Sequence, residues 1–250
     1  MHTLLETITS VRELGIIKVE KTFIAKTILS MIAGAAIAFG YITYFIITDA
    51  IGGGMGLLVG ASLFPIGLMI VLMAGGELLT GNMFVVGTSW LHKDVSTKDL
   101  ILNWVHITLG NFVGAVLVAY VFVLYLGTVD PEMPLLIATG FGKVNTSPMK
   151  MIVSGIGCNI FVGLSVWMYI GSKDGFLKFM SIWFPIAVFI ILGFQHVVAN
   201  MFLLVILVSQ NLITLTQYLS NLSFVFIGNA IGGVLFVGLL YALVADSLKS

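Results

Sequence analysis

The chain has 250 residues, 59% of them hydrophobic and only 9% charged. Soluble domains carry about 25% charged residues, so the composition excludes an ordinary soluble protein and places the chain in a bilayer. The formal net charge is zero and Cys158 is the single cysteine. Nothing therefore points to a nucleic-acid partner, and an intrachain disulfide is excluded.

Residues 1–22 read as a separate element. Leu4, Leu5, Ile8, Val11 and Leu14 recur at helical spacing, with Glu6, Arg12 and Glu13 between them. This is the pattern of an amphipathic helix that lies on the membrane surface or packs on a neighbouring subunit. No short apolar core followed by a small-residue cleavage site stands here, so no removable signal peptide is expected.

Six spans follow. A helix needs about 20 apolar residues to cross the hydrocarbon. Residues 27–48 are uncharged and form the first. Residues 51–76 are also uncharged and lead into Glu77, giving a second span that runs to about residue 91. Residues 100–129 hold only His106, and residues 151–171 make the fourth span. The fifth starts near Phe179 and is interrupted at His196. The turn-rich stretch 209–221 separates it from the sixth.

Nine of the eleven basic residues fall on the side of the termini: Arg12, Lys18, Lys21, Lys26, Lys93, Lys98, Lys173, Lys178 and Lys249. Lys143 and Lys150 lie on the other side. The positive-inside rule then puts both termini in the cytoplasm of a plasma (inner) membrane protein.

The sequence repeats itself. GGELLTGNMF at 75–84 returns as GFQHVVANMF at 193–202, and GNFVGAVL at 110–117 returns as GNAIGGVL at 228–235, both 118 residues on. FPIGL at 64–68 returns as FPIAV at 184–188. A first repeat over 27–129 and a second over 150–247 each hold three spans. The second must enter from the opposite face, within one transmembrane domain spanning 1–250. Matched interruptions in spans two and five, each beside an ionisable group, point to broken helices that meet on a pathway. A duplication with purely structural kinks is the alternative.

GFQHVVANMF, GGELLTGN, NWVHITLGNFVGA and GNAIGGVLFVGL together resemble the signatures of the formate/nitrite transporter family, over almost the whole chain. The resemblance implies an all-α membrane protein, an aquaporin-like inverted repeat with helices two and five broken. It implies a homopentamer in the lipid bilayer with one pore per protomer, passing formate, nitrite, hydrosulfide or another small monovalent anion, without enzyme activity, cofactor or metal. It places the central histidine at His196, a loop threonine at Thr80, an asparagine of span four at Asn159 and a vestibule lysine at Lys143. Constriction residues fall on Phe64, Leu68, Leu78, Phe189 and Phe194, with Leu79 beside the threonine. Two positions depart from the family pattern: Gln195 replaces an acid and Leu79 replaces an aromatic. Both lean toward the hydrosulfide branch.

The residues read on their own terms agree in part. An imidazole near physiological pH offers a proton or a hydrogen bond to an anion, and a neutralised anion crosses an apolar ring at far lower cost. Thr80 suits weak binding, or else bonds its own helix backbone. Lys143 and Lys150 are equally basic neighbours, and the sequence does not choose between them. Glu77 would repel anions and reads as structural, bonding backbone donors or capping a half-helix. Asn82 and Asn200 read likewise. His106 reads as an interior or subunit-interface hydrogen-bonding group. A facilitator of small neutral solutes shares the architecture, but the breaks lack its Asn-Pro-Ala. A membrane enzyme would need a metal cluster or nucleophile–base set that four scattered histidines and one cysteine do not supply.

Overall fold

A computed structural model describes residues 1–248, and the expected basic residue Lys249 lies outside the described residues. All regular structure among the described residues is helical. In chain order the helical stretches are α1 Leu4–Glu20, α2 Phe23–Ile51, α3 Gly53–Gly75, α4 Leu79–Leu91 and α5 Thr97–Tyr125. Then come α6 Pro134–Val144, α7 Pro148–Gly171, α8 Gly175–Ile191, α9 Val197–Ser209 and α10 Leu215–Ser247.

The starts of these helices are written locally. Capping boxes pair Thr3 with Glu6 before α1, Ser96 with Asp99 before α5 and Thr214 with Gln217 before α10. In each, the hydroxyl takes an orphan amide and the third helical residue returns a bond to the cap. Thr22, Ser147 and Asp174 cap α2, α7 and α8 with a side-chain oxygen, and Pro134 and Pro148 open α6 and α7. Proline costs nothing there because those N–H groups have no intrahelical acceptor.

Five helices, α2, α3, α5, α7 and α10, are long and apolar enough to cross a membrane by themselves. The expected second and fifth spans are each divided, into α3 with α4 and α8 with α9. Helices α4 and α9, 13 residues each, are buried on every side: all of residues 79–89 in α4 and 197–207 in α9 are buried, the few polar ones included. A helix buried all round sits at the centre of its domain. The long helices surround this pair and turn large apolar side chains such as Leu102, Leu109, Leu117 and Leu219 outward, as a lipid-facing surface requires.

The surrounding helices cross closely. A Cβ at Gly34 of α2 would collide with the backbone of Asn111 in α5, and one at Gly228 of α10 with the backbone of Ile152 in α7. Apolar burial does not drive helices together inside lipid, so contact at this range, rich in dispersion energy, holds the bundle.

Helix α1 packs on its own chain. Ile8 and Val11 are buried with Phe84 and Val85 of α4 and Trp167 of α7. Arg12 binds both carboxylate oxygens of Asp94 at 2.7 Å.

Candidate functional site

The site is built at the two non-helical stretches that separate α3 from α4 and α8 from α9. Gly75 has φ 100° and Gly193 has φ 70°, a left-handed conformation that glycine adopts without a Cβ penalty. The chain then runs extended into Leu78 and His196, the N-caps of α4 and α9. Backbone groups freed at such depth must find partners within the protein.

Two asparagines supply them, in the same way in both halves. Asn111 Oδ1 accepts from the Leu79 amide at 2.9 Å, and its Nδ2 donates to the carbonyls of Ser30 and Glu77 at 2.8 and 2.9 Å. Asn229 Oδ1 accepts from the Val197 amide at 2.9 Å, and its Nδ2 donates to the carbonyls of Gly155 and Gln195 at 2.8 and 3.0 Å. The backbone role expected of Glu77, Asn82 and Asn200 thus belongs to Asn111 and Asn229. The signal was present in the repeated Gly-Asn at 110–111 and 228–229.

Glu77, Asn82 and Asn200 instead form side-chain networks. Asn82 Nδ2 donates to Glu77 Oε2 at 2.8 Å and to Asn103 Oδ1 at 3.0 Å. Asn200 Nδ2 donates to Gln195 Oε1 at 2.9 Å and to Asn221 Oδ1 at 2.8 Å. Glu77 is 1% exposed and binds Lys18 at 2.9 Å and Lys21 at 2.6 Å. Both lysines reach it from the end of α1, a contact that sequence reasoning missed because it joins elements 56 or more residues apart.

His196 and Thr80 meet across the interruptions. The amide of Ala199 donates to His196 Nδ1 at 3.1 Å, so the imidazole caps α9. An amide only donates, so this geometry assigns the ring proton to Nε2. That nitrogen lies 2.8 Å from Thr80 Oγ1 and donates to it. Thr80 therefore bonds the histidine and not its own helix. Asn159 stands behind the pair, with Nδ2 donating to the carbonyls of Asn229 at 2.6 Å and Thr80 at 3.3 Å.

His196 also lines a small apolar cavity of about 10 Å³ together with Phe64, Leu68, Leu78 and Phe189. That is room for about one water-sized sphere. Phe64 and Phe189 meet edge-on at 5.8 Å, and Phe189 stacks against the imidazole at 6.2 Å. Of the six apolar residues singled out in sequence, these four come together. Leu79 does not join them: it is buried in the surrounding core, with its amide held by Asn111. Phe194 is not part of this small cavity: it packs against Gly157 and Phe161 and lines a separate cavity with Lys143.

Larger cavities open on either side. One of about 300 Å³, toward α1, is lined by Lys18, Lys21, Glu77 and Tyr169, and shares Leu68 and Leu78 with the small cavity. The other, about 270 Å³, is lined by Tyr41, Tyr44, Thr139, Lys143, Phe194 and Gln195. The Tyr41 ring packs edge-on against Phe64 at 5.5 Å. Lys143 is buried at 8% exposure, whereas Lys150 is exposed, so the fold separates two lysines that sequence left equal. Burial in α6 pushes the Lys143 ammonium pKa down to about 8. His106 stands apart from all of this, near the start of α2, with its Nε2 2.9 Å from Thr27 Oγ1.

Comparisons with known proteins give this geometry a family. The model of the formate/nitrite transporter family matches residues 5–243. The chain is 39% identical to "Uncharacterized transporter YrhG" of Bacillus subtilis, over 92% of this chain and 88% of that protein. It is 38% identical to "Formate channel BtFdhC" of Bacillus thuringiensis, over 92% and 90%. Among solved structures it resembles an "FNT family ion channel" with a TM-score of 0.89 at 28% identity, covering 96% of this chain and 98% of the other. It also resembles a "Pentameric formate channel with formate bound", with a TM-score of 0.73 at 25% identity, covering 89% and 97%. The chain is thus a multipass membrane protein belonging to the formate/nitrite transporter family of channels and transporters.

Proposed function

We propose that this chain is a channel for small monovalent anions, with formate the first substrate to test and one pore in each protomer of a homopentamer. The observation that carries the reading is the arrangement of three cavities. Two lysine-bearing chambers flank a constriction with room for about one water. Names of relatives support it, since a formate channel is 38% identical to this chain. In this reading α3 with α4 and α8 with α9 are broken spans, six spans cross in all, and the two halves enter from opposite faces of the plasma membrane with both termini cytoplasmic.

Lysines draw the anion into each chamber. The ring of Phe64, Leu68, Leu78 and Phe189 excludes hydrated ions by denying them water. His196 faces that ring and offers its Nε2–H, which Thr80 holds in place until an anion takes it. Exchange of a whole proton, converting formate to neutral formic acid, requires Nδ1 to be protonated as well, and so to release the Ala199 amide. Asn159 fixes the Thr80 carbonyl behind this pair. Hydrosulfide is the second reading, favoured by Gln195 and Leu79 beside the central pair.

The test is flux into proteoliposomes of formate, nitrite, hydrosulfide and the larger lactate, at about pH 5.5 and about pH 7.5 on either side of the ordinary imidazole range. Formate or hydrosulfide crossing faster than lactate, and loss of the pH response in His196→Ala, supports the reading. Equal passage of a neutral solute such as glycerol replaces it with the neutral-solute alternative.

A further inference from the structure

The correspondence between the two halves includes the short helices α1 and α6. Lys18 stands five residues before Phe23, the first residue of α2, and Lys143 five before Pro148, the first of α7. Each lends its backbone carbonyl to an asparagine of the same network: Asn103 Nδ2 donates to Lys18 at 3.4 Å and Asn221 Nδ2 to Lys143 at 2.8 Å. Those asparagines accept from Asn82 and Asn200, which bind Glu77 and Gln195. Positions 77 and 195 are therefore one place in a scaffold built twice, occupied by a carboxylate in one half and an amide in the other.

The substitution changes what the lysine has to bind. Glu77 holds the ammonium groups of both Lys18 and Lys21. Gln195 turns its Nε2 to the Lys143 carbonyl at 3.4 Å and its Oε1 to Asn200 and Asn221. It offers the Lys143 ammonium nothing. Among the described residues that ammonium has no hydrogen bond or ion pair, although Lys143 is 8% exposed and lines a cavity. A buried cation without a counter-ion is costly, and an anion in the cavity recovers that cost. We propose that Gln195 sets anion affinity at this mouth. By leaving Lys143 uncompensated it makes the α6 mouth a tighter site for a small monovalent anion than the α1 mouth, whose lysines are engaged by Glu77.

Net charge does not produce the difference. Two lysines and one glutamate give the α1 mouth a formal charge of +1, and Lys143 alone gives the α6 mouth the same. Long-range attraction is then alike, and the asymmetry lies in unengaged N–H donors at contact range. A passive pore gains no direction from this, because equilibrium is unaffected. The half-saturation concentration differs between the two faces instead. The proposal rests on the anion-channel reading.

The experiment measures initial uptake of labelled formate by right-side-out and inside-out vesicles carrying the full chain, with sidedness read from labelling of Glu132→Cys on the α6 side. The wild type is expected to half-saturate at lower formate when the substrate meets the α6 mouth. Gln195→Glu should raise half-saturation there by about tenfold, equivalent to ~1.4 kcal/mol, and leave the α1 face unchanged. Glu77→Gln should lower half-saturation at the α1 face. The titratable groups that share the cavity of Lys143 or act on its charge are Tyr41 and Tyr44 of α2, Cys158 of α7 and His196, with no carboxylate among them. As pH rises through about 8 the α6-side affinity should therefore fall, and Gln195→Glu should move that fall to higher pH, since a carboxylate favours the ammonium form. Unchanged α6-side half-saturation in Gln195→Glu overturns the proposal while formate uptake still upholds the channel. If Gln195→Glu does not assemble, Lys143→Gln takes its place, with the same rise expected and the same unchanged value decisive. Absence of uptake of formate, nitrite and hydrosulfide by the wild type defeats the channel reading itself.

Discussion

The two helix interruptions share a scaffold and differ in what it presents. Asn111 and Asn229 make the same three bonds, 118 residues apart, and Gly75 and Gly193 turn the chain with the same left-handed backbone. At the positions between, the match fails. Leu78 stands where the other half has His196, and Thr80 where it has Val198. The unmatched pair, threonine from one half and histidine from the other, meets at 2.8 Å. The two frames match in their bonds, and the chemistry lies where the two halves differ.

If the frames are equivalent, removing them should cost alike. Asn111→Leu and Asn229→Leu each leave buried amides and carbonyls without partners, at about 1–3 kcal/mol per group. Each is expected to lower stability by roughly 3 kcal/mol or more by that reckoning. Thermal unfolding of the detergent-solubilised protein measures it, and a large effect in one half with a small effect in the other breaks the comparison.

The divergent pair should act as a unit. Thr80→Val leaves His196 Nε2–H without its acceptor, and His196→Ala removes the donor together with the cap of α9. Each is expected to reduce formate flux by about tenfold or more, in line with ~1–3 kcal/mol per lost buried bond. The double variant should fall little below the worse single one, because contacting residues do not add. Fully multiplicative losses in the flux assay separate the two residues.

Much of this was legible before any coordinates. The apolar helical character was, and His196 stood out because an ionisable group interrupts otherwise apolar sequence, whereas Thr80 and Lys143 were picked out by the family resemblance, Lys143 standing level with Lys150 until the fold buried it. The pairing of Lys18 and Lys21 with Glu77 did not stand out, since lysines near a span end read as solvated or orientation-setting groups. Leu79 illustrates another limit. Adjacency in sequence to a pathway residue does not fix direction: Leu79 turns into the core while Leu78, one residue earlier, faces the constriction. Asparagine was undervalued for a related reason. Its role depends on which backbone groups are left free, and the chain shows that only once the breaks are located.

A smaller effect sharpens the comparison at the ends of the bundle. Helix α1 is tied down by the Arg12–Asp94 pair, whereas no ion pair among the described residues ties α6. The guanidinium hydrogen bonds hold the Asp94 carboxyl below its usual range. A lowered carboxyl stabilises the fold above its unfolded value of about 3.9, and that contribution is lost as pH falls through the depressed folded value. With side chains 32% and 17% exposed, solvent screening limits the pair to about 1 kcal/mol or less. Arg12→Leu should thus lower unfolding temperature slightly at neutral pH and by less near pH ~2, since the pair's contribution declines below the unfolded carboxyl value and is lost as pH falls through the depressed folded one. An equal deficit at both pH values would assign the loss to packing of the Arg12 stem.

The glycine-mediated crossings have a consequence for timing. At Gly34 of α2 against Asn111 of α5, and at Gly228 of α10 against Ile152 of α7, backbone lies against backbone, with no glycine side chain at those points to rearrange. Those helices have little freedom to slide. In the proposed channel the groups free to clear the narrow ring are the side chains of Phe64, Leu68, Leu78 and Phe189, so admission of an anion would be a matter of rotamers and not of moving helices. Such a gate opens and shuts faster than the roughly microsecond-to-millisecond swings of domains, and the crossing of each anion need not wait for the protein to change shape.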